Sequence, residues 1–310
     1  MKKGHLIILL GIIVFHILML FIGNTLKMGL MRFDSEIYKK FDLMFKDKSK
    51  FDIVFIGSSR TYYGINPSII EKLSGKNAIN IGLEGAKLNE MEIALKGYLY
   101  SHPKPGKIIL MIDPHSFSFN ENQIYNKIYL SNYLNNDSIY SALKNSINYK
   151  PIVWKYIPYF ILTEFDDYTR LKSIKGIING KNKNSLLNYN GFCELKNKFT
   201  ATDDNFNTLK MNIDNGVKHL FNIISICNRD NIDIQIVQGP FLKLFYEKNK
   251  MDIFYKNINE LIYNRFPNTK IQTTALNYTN LNYFKDETHV NNVGAIHYST
   301  DIFTTFIKDK

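Results

Sequence analysis

Cysteine is almost missing: Cys193 and Cys227 are the only two among 310 residues. That allows one disulfide or a free thiol pair and excludes a disulfide-built scaffold or a cysteine-rich zinc module. Acidic residues are also in deficit. The 28 Asp and Glu face 39 Lys and Arg, leaving a net charge of +11, which suits an anionic partner such as a membrane surface, a teichoic-type polymer or nucleic acid without choosing among them. No internal repeat is present, and the Asn-Lys-Ile bias is diffuse. What the chain does have is 45% hydrophobic and 14% aromatic residues, enough to build a core and to exclude disorder over most of its length.

Charge is absent altogether from Leu6 to Ile22, a run of 17 residues that Gly23 to Leu26 extends to spanning length, since about 20 helical residues cross the hydrocarbon. Lys2 and Lys3 precede the run as in an export signal, but no small-x-small cleavage site and no lipidation cysteine follow it. The expectation is a retained anchor rather than a buried soluble helix, which would show a polar face. Lys27, Arg32, Lys39 and Lys40 beyond the run oppose an outward body by the flank count. A five-residue N-terminal tail is most simply left in the cytoplasm, and the reading adopted is an anchor at the cytoplasmic membrane with the C-terminal body exported.

Residues 27–50 mix apolar and charged positions and read as a helical juxtamembrane stalk after an anchor at 1–26. From Phe51 onward, short apolar β-branched runs recur at Asp52–Ile56, Ala78–Ile81, Lys107–Ile112 and Ile232–Val237, with a fifth expected near Lys270–Thr274; such runs suit strands buried on both faces. Helix patterns fall between them: Asn66-Pro67-Ser68 to Gly75, Asn89–Tyr100, Phe206–Arg229, Met251–Phe266 and Asn291–Ile307. Alternation of this kind predicts an α/β fold, flavodoxin-like, with three layers and a mostly parallel five-stranded sheet.

The interval from about 114 to 204 breaks the rhythm and reads as an insertion into a domain spanning 51–310. Its aromatic run Pro151–Leu162 suits either a bilayer surface, an acyl group or, more simply, packing on the main body. Arg170, Lys172, Lys175, Lys181, Lys183, Lys196 and Lys198 make the insertion basic, as an anion-attracting surface or a solvated loop.

Two local features carry chemistry. Gly57-Ser58-Ser59 lies at the C-terminal end of the first strand, the edge where open α/β sheets bind ligands, and a serine entering a helix there projects its hydroxyl among amide dipoles. Asp286-Glu287-Thr288-His289 precedes the last helix. A serine nucleophile needs a base, and the base needs a carboxylate to hold its tautomer; at i and i+3, Asp286 can orient His289. Each signal alone is weak, the alternatives being an ordinary turn and a capping Asp beside a surface His. Asp113 and His115, at another strand end, suit substrate or supporting contacts. His16, His102, His219 and His297 have no Asp at that spacing. Ser58 is the competing nucleophile if the turn shifts by one.

These blocks resemble the SGNH (GDSL-like) hydrolase superfamily, and within it the membrane-anchored, DltD-like envelope branch. Phe55-Ile56-Gly57-Ser58-Ser59-Arg60 is similar to its first block, Asn80-Ile81-Gly82-Leu83-Glu84-Gly85 to its second and Asp286 to Asn291 to its last. The resemblance covers about Phe51 to the C-terminus apart from the insertion. It implies a triad of Ser59, His289 and Asp286, with Ser59 and Gly85 amides at the oxyanion and Asp113 and Asn291 as further oxyanion or substrate contacts. The third block departs: Ile112-Asp113-Pro114-His115-Ser116 replaces the usual Gly-x-Asn-Asp, so the Asn donor is missing or replaced.

Together these imply a serine esterase or acyltransferase acting on O-acyl groups, acetyl or D-alanyl, of an envelope glycopolymer, with no metal or organic cofactor. The alternative is a non-catalytic accessory or binding module that partners a membrane-bound O-acyltransferase. A nucleic-acid partner finds no reading motif.

Overall fold

The computed structural model describes residues 3–117, 123–180, 189–196, 199, 213–272 and 279–308. Its main helices are α1 (Lys3–Phe33), α2 (Ser35–Phe45), α3 (Ser59–Gly64), α4 (Pro67–Ser74), α5 (Leu88–Ser101), α6 (Asp137–Ile147), α7 (Lys150–Tyr156), α8 (Asp167–Asn179), α9 (Asp214–Arg229), α10 (Met251–Arg265) and α11 (Asn292–Ile302). The strands are β1 (Ile53–Ile56), β2 (Ala78–Asn80), β3 (Lys107–Ile112), β4 (Asp233–Gln238) and β5 (Ile271–Gln272). The chain divides into two compact units, residues 1–41 with 127–185 and residues 42–126 with 186–310.

In the second unit the strands form one sheet in the order β2-β1-β3-β4-β5, and every pair is parallel. All four residues of β1 are buried, as are five of the six in β3, which is why these strands appear as unbroken apolar runs rather than alternating ones. Helix α5 packs on α9, and α11 packs on α3 and α4. Asn66 caps α4 through Ser68 N–H, with Pro67 as its first residue and Gly75 left-handed beyond its end, as the Asn-Pro-Ser…Gly pattern requires. The strand order reverses between β1 and β3, and the crevice at the C-terminal ends of those two strands is where such sheets bind ligands.

The expected elements recur with shifted ends. Helix α9 is described from Asp214, and residues 206–212 of the expected helix lie outside the described residues. Strand β5 is Ile271–Gln272, with residues 273–274 of the expected strand outside them. The last helix is α-helical to Ile302 and π-helical from Phe303 to Ile307. Within the insertion, residues 118–122, 181–188, 197–198 and 200–204 lie outside the described residues, and with them Lys181, Lys183 and Lys198 of the basic stretch.

In the first unit, α1 is one 31-residue helix long and apolar enough to cross a membrane. It runs through Phe33, so the segment read as a stalk begins inside it. Residues 127–185 of the insertion, with the aromatic run Pro151–Leu162, belong to the same unit as α1.

Candidate active site

Strand β1 ends at Ile56, and Gly57-Ser58 turn the chain into α3, whose first residue is Ser59. Close packing explains the glycines on this path: a Cβ at Gly57 would collide with Thr61 Oγ1, and one at Gly82 would lie 2.7 Å from Thr61 Cβ. Asn80, fully buried at the end of β2, donates to Thr61 O at 2.6 Å and Ile65 O at 2.8 Å and accepts from Gly82 N–H at 2.9 Å. A satisfied buried amide therefore fixes the helix that begins with Ser59.

From the opposite end of the chain, the loop before α11 wraps around a carboxylate. Asp286 Oδ1 accepts the N–H groups of Thr288 and His289 and the Thr288 hydroxyl, each at 2.9 Å. His289 Nδ1 lies 3.0 Å from both Asp286 oxygens, and His289 Nε2 lies 2.8 Å from Ser59 Oγ. With Nδ1–H donating to the carboxylate, Nε2 keeps its lone pair and accepts the Ser59 hydroxyl. Burial acts to raise the Asp286 carboxyl, but the bonds and charge of His289 and the Thr288 donors prevail and bring it down to about 2. It is ionised at neutral pH, the state that orients an imidazole and stabilises its protonated form.

Ser58, the rival serine, is turned inward: its Oγ donates to Asp113 Oδ2 at 2.7 Å. Asp113 is fully buried, accepts from Ser116 Oγ and N–H, and pairs with Arg60 Nη1 at 2.9 Å. Burial raises its carboxyl, and the opposing Arg60 charge and Ser58 hydroxyl hold it below the usual range. The Arg60 guanidinium also lies over the Phe241 ring at 4.6 Å. Asp113 was expected at an oxyanion, substrate or supporting contact; the structure engages its carboxylate internally beneath the Ser58-Ser59 turn. Asn291, expected in a similar place, caps α11 by accepting from Val293 and Gly294 N–H, and donates to the carbonyls of Asn282 and Phe284. Arg60 escaped the sequence reading because its partner is 53 residues away.

Gly85 has φ +68°, and the Tyr125 ring occupies the space a side chain would need, 2.8 Å from an ideal Cβ. The neighbouring Asn126 is tied down by buried Glu90, whose Oε1 accepts Asn126 N–H at 2.7 Å and Nδ2 at 3.1 Å, while Nδ2 also reaches Glu84 O at 3.2 Å. Burial pushes the Glu90 carboxyl up to about 7. The Tyr63 ring meets the His289 ring edge-on at 5.8 Å, and Lys87 Nζ donates to His115 O at 2.8 Å. No spacing rule pointed to Tyr63, Glu90 or Tyr125; only the helical offset of four from Ser59 to Tyr63 carried a signal.

Four other histidines are engaged elsewhere. His102 stacks on Tyr98 at 4.2 Å, His297 stacks on Tyr283 at 4.4 Å, and His16 contacts Tyr159. His219 Nδ1 lies 2.5 Å from Glu92 Oε2, a second imidazole–carboxylate pair that spans α9 and α5. Among the described residues, no group of three or more His, Cys, Asp or Glu is placed to hold a metal ion.

Similar chains are found among solved structures. The chain is similar to a Streptococcus pneumonia protein provisionally described as a platelet activating factor, with 13% identity over 89% of this chain and 92% of that one and a TM-score of 0.43. It is also similar to a Desulfitobacterium hafniense DCB-2 protein provisionally described as lipolytic and of the G-D-S-L family, with 11% identity over 81% and 97% and a TM-score of 0.38. No family model matches the chain, and no curated protein matches it.

Proposed function

We propose that the protein is a membrane-anchored serine esterase or acyltransferase of SGNH type, acting on O-acyl groups of an envelope polysaccharide. The observation that carries this reading is the chain of contacts from Ser59 Oγ to His289 Nε2 at 2.8 Å and from His289 Nδ1 to Asp286 at 3.0 Å. In this reading His289 takes the Ser59 proton as Oγ attacks the ester carbonyl, and Asp286 stabilises the imidazolium that results. The oxyanion forms beside the N–H of Ser59, which as the first residue of α3 is not used by the helix, and the N–H of Gly85. His289 then returns the proton to the departing alkoxide. Water releases the acyl group in an esterase, and a polymer hydroxyl accepts it in an acyltransferase. Lacking the third-block Asn donor costs about 3 kcal/mol of barrier, a loss compatible with turnover.

Charge and the N-terminal helix support the choice of substrate. A net charge of +11 favours an anionic glycopolymer, and α1 would hold the body at the membrane where such a polymer lies, on the extracytoplasmic side.

A fluorophosphonate probe tests the chemistry. Labelling of the full chain, lost in Ser59→Ala with the fold retained, is the expected result; absence of labelling in folded wild-type protein rejects it. That second outcome would favour the accessory-module reading, in which the protein partners a membrane-bound O-acyltransferase. The inward-turned Asp113 in place of the third-block donor is the feature that speaks for it.

A further inference from the structure

The first unit contains a polar contact at a depth where polar groups are costly. Leu6 to Leu26 is 21 residues, about 31 Å of helix at 1.5 Å per residue, close to the roughly 30 Å thickness of a hydrocarbon core. His16 is its midpoint. Its Nδ1 lies 3.1 Å from the hydroxyl of Tyr159, and the two rings meet edge-on at 5.3 Å. Tyr159 belongs to the 3-10 turn Pro158–Glu164, which seats itself on Gly23, where an added Cβ would come within 2.7 Å of Tyr159 Cβ. Along α1, His16, Met19, Leu20, Gly23, Leu26 and Leu30 are partly or fully covered, whereas Leu18, Phe21 and Ile22 are exposed. One face of the apolar helix is thus packed against protein over the C-terminal half of its apolar run.

Helix α8 continues the same packing. A Cβ on Gly29 would collide with the Ser173 carbonyl, and one on Gly176 with the Gly29 carbonyl, so the two backbones touch, as small residues allow where helices cross in a membrane. The outer face of α8 is apolar: Leu171, Ile174 and Ile178 are 47%, 46% and 73% exposed, and they follow each other at helical spacings of three and four. Phe160 on the 3-10 turn is exposed as well. Arg170 and Lys175 stand beside this stripe with long stems that can carry their charges to a headgroup layer.

We propose that the turn at residues 157–162 enters the bilayer beside α1 and that α8 lies along the headgroup boundary, with Phe160, Leu171, Ile174 and Ile178 facing lipid acyl chains and the exposed Asp166, Asp167, Arg170 and Lys175 left to the headgroup layer. The proposal rests on the reading of α1 as a membrane span. It explains why a tyrosine hydroxyl is brought to His16, since a polar group within hydrocarbon needs a protein partner. The anchor is then a helix with a protein buttress sharing its leaflet, and the exposed apolar stripe of α8 continues the lipid-facing surface of α1.

Full-length wild-type protein in phosphatidylcholine vesicles carrying a photoactivated diazirine on the acyl chain provides the test, with adducts mapped by mass spectrometry. Adducts on peptides covering both 6–26 and 157–179 are expected. Adducts on 6–26 with none on 157–179 overturn the proposal while leaving the anchor intact, and would mean that water, a second copy or another protein covers α8. No adducts on either peptide reject the anchor reading and the proposal with it. In a second arm, Ile174→Asp with Ile178→Asp, on the exposed face of α8, should abolish adducts on 167–179 and leave those on 6–26 unchanged; retained labelling there overturns the assignment of that face to lipid.

Discussion

Ser58 Oγ donates a 2.7 Å hydrogen bond to Asp113 Oδ2, a carboxylate with no solvent exposure, so that two adjacent serines face opposite ways: Ser58 into the sheet and Ser59 toward His289. The turn between β1 and α3 is held from below by an ion pair, and the hydroxyl above it is left to the imidazole.

That ion pair should dominate the response to mutation under the turn. Arg60→Ala leaves the Asp113 carboxylate buried and unpaired, and removing one partner of such a pair costs about 3–5 kcal/mol. The paired replacement Arg60→Met with Asp113→Asn should regain much of that loss. Urea midpoints of wild type and the two variants measure it, and equal losses in the single and paired variants would show that the ion pair does not matter.

Asp286→Asn keeps the shape of the loop but removes the charge that faces His289 Nδ1. Turnover of a chromogenic acetyl ester should fall by roughly 10³- to 10⁴-fold, with little change in KM. The wild-type carboxyl, lowered to about 2, contributes stability that is fully present above the unfolded value of about 3.9 and is lost as pH falls through the folded value. Denaturation of wild type and Asp286→Asn compared between pH 5 and 2 should therefore converge on acidification.

Glu90 has the opposite sign. Its folded value of about 7 exceeds the unfolded value of about 4.3, so the folded state binds the proton more tightly and wild-type stability declines as pH rises between the two, by about 4 kcal/mol in all. Glu90→Gln retains an oxygen for Asn126 and removes that decline. Its stability relative to wild type should rise from pH 4 to 7 and level off above, measured by chemical denaturation across that range.

Gly85→Ala places a side chain at φ +68° and against the Tyr125 ring. The backbone strain costs about 1 kcal/mol or more, and the shift of the Gly85 N–H should lower kcat more than it raises KM. Tyr125→Ala in the same chain relieves the collision and not the dihedral, so it should restore the activity only in part. Steady-state kinetics on wild type and the two variants separates the two effects.

Much of the fold was legible because its causes are local. Continuous apolar runs marked β1 and β3 since both strands are covered on both faces, and Asn66-Pro67-Ser68 marked the start of α4 because capping acts within one turn. Asp286 and His289 could be paired on paper because three residues of loop bring them together. Pairings such as Arg60 with Asp113, Glu90 with Asn126 and His219 with Glu92 had no such signal. A motif suggested oxyanion or substrate contacts for Asp113 and Asn291, with a supporting place also open to Asp113; the folded chain gives their polar atoms internal partners.

By itself the sequence determined the elements of the sheet domain: which runs are strands, where the helices between them begin, that one apolar helix precedes the body, and that a serine and an Asp-x-x-His lie at opposite ends of it, whereas the helices of residues 137–179 were not read. Tertiary structure alone decided which serine meets the imidazole, what neutralises Arg60, and that Tyr159 reaches His16 across 143 residues of chain. Local propensities act over a few residues and can be read in order along the chain. A buried charge or hydroxyl needs whichever partner the packing brings to it, and chain separation carries no record of that choice.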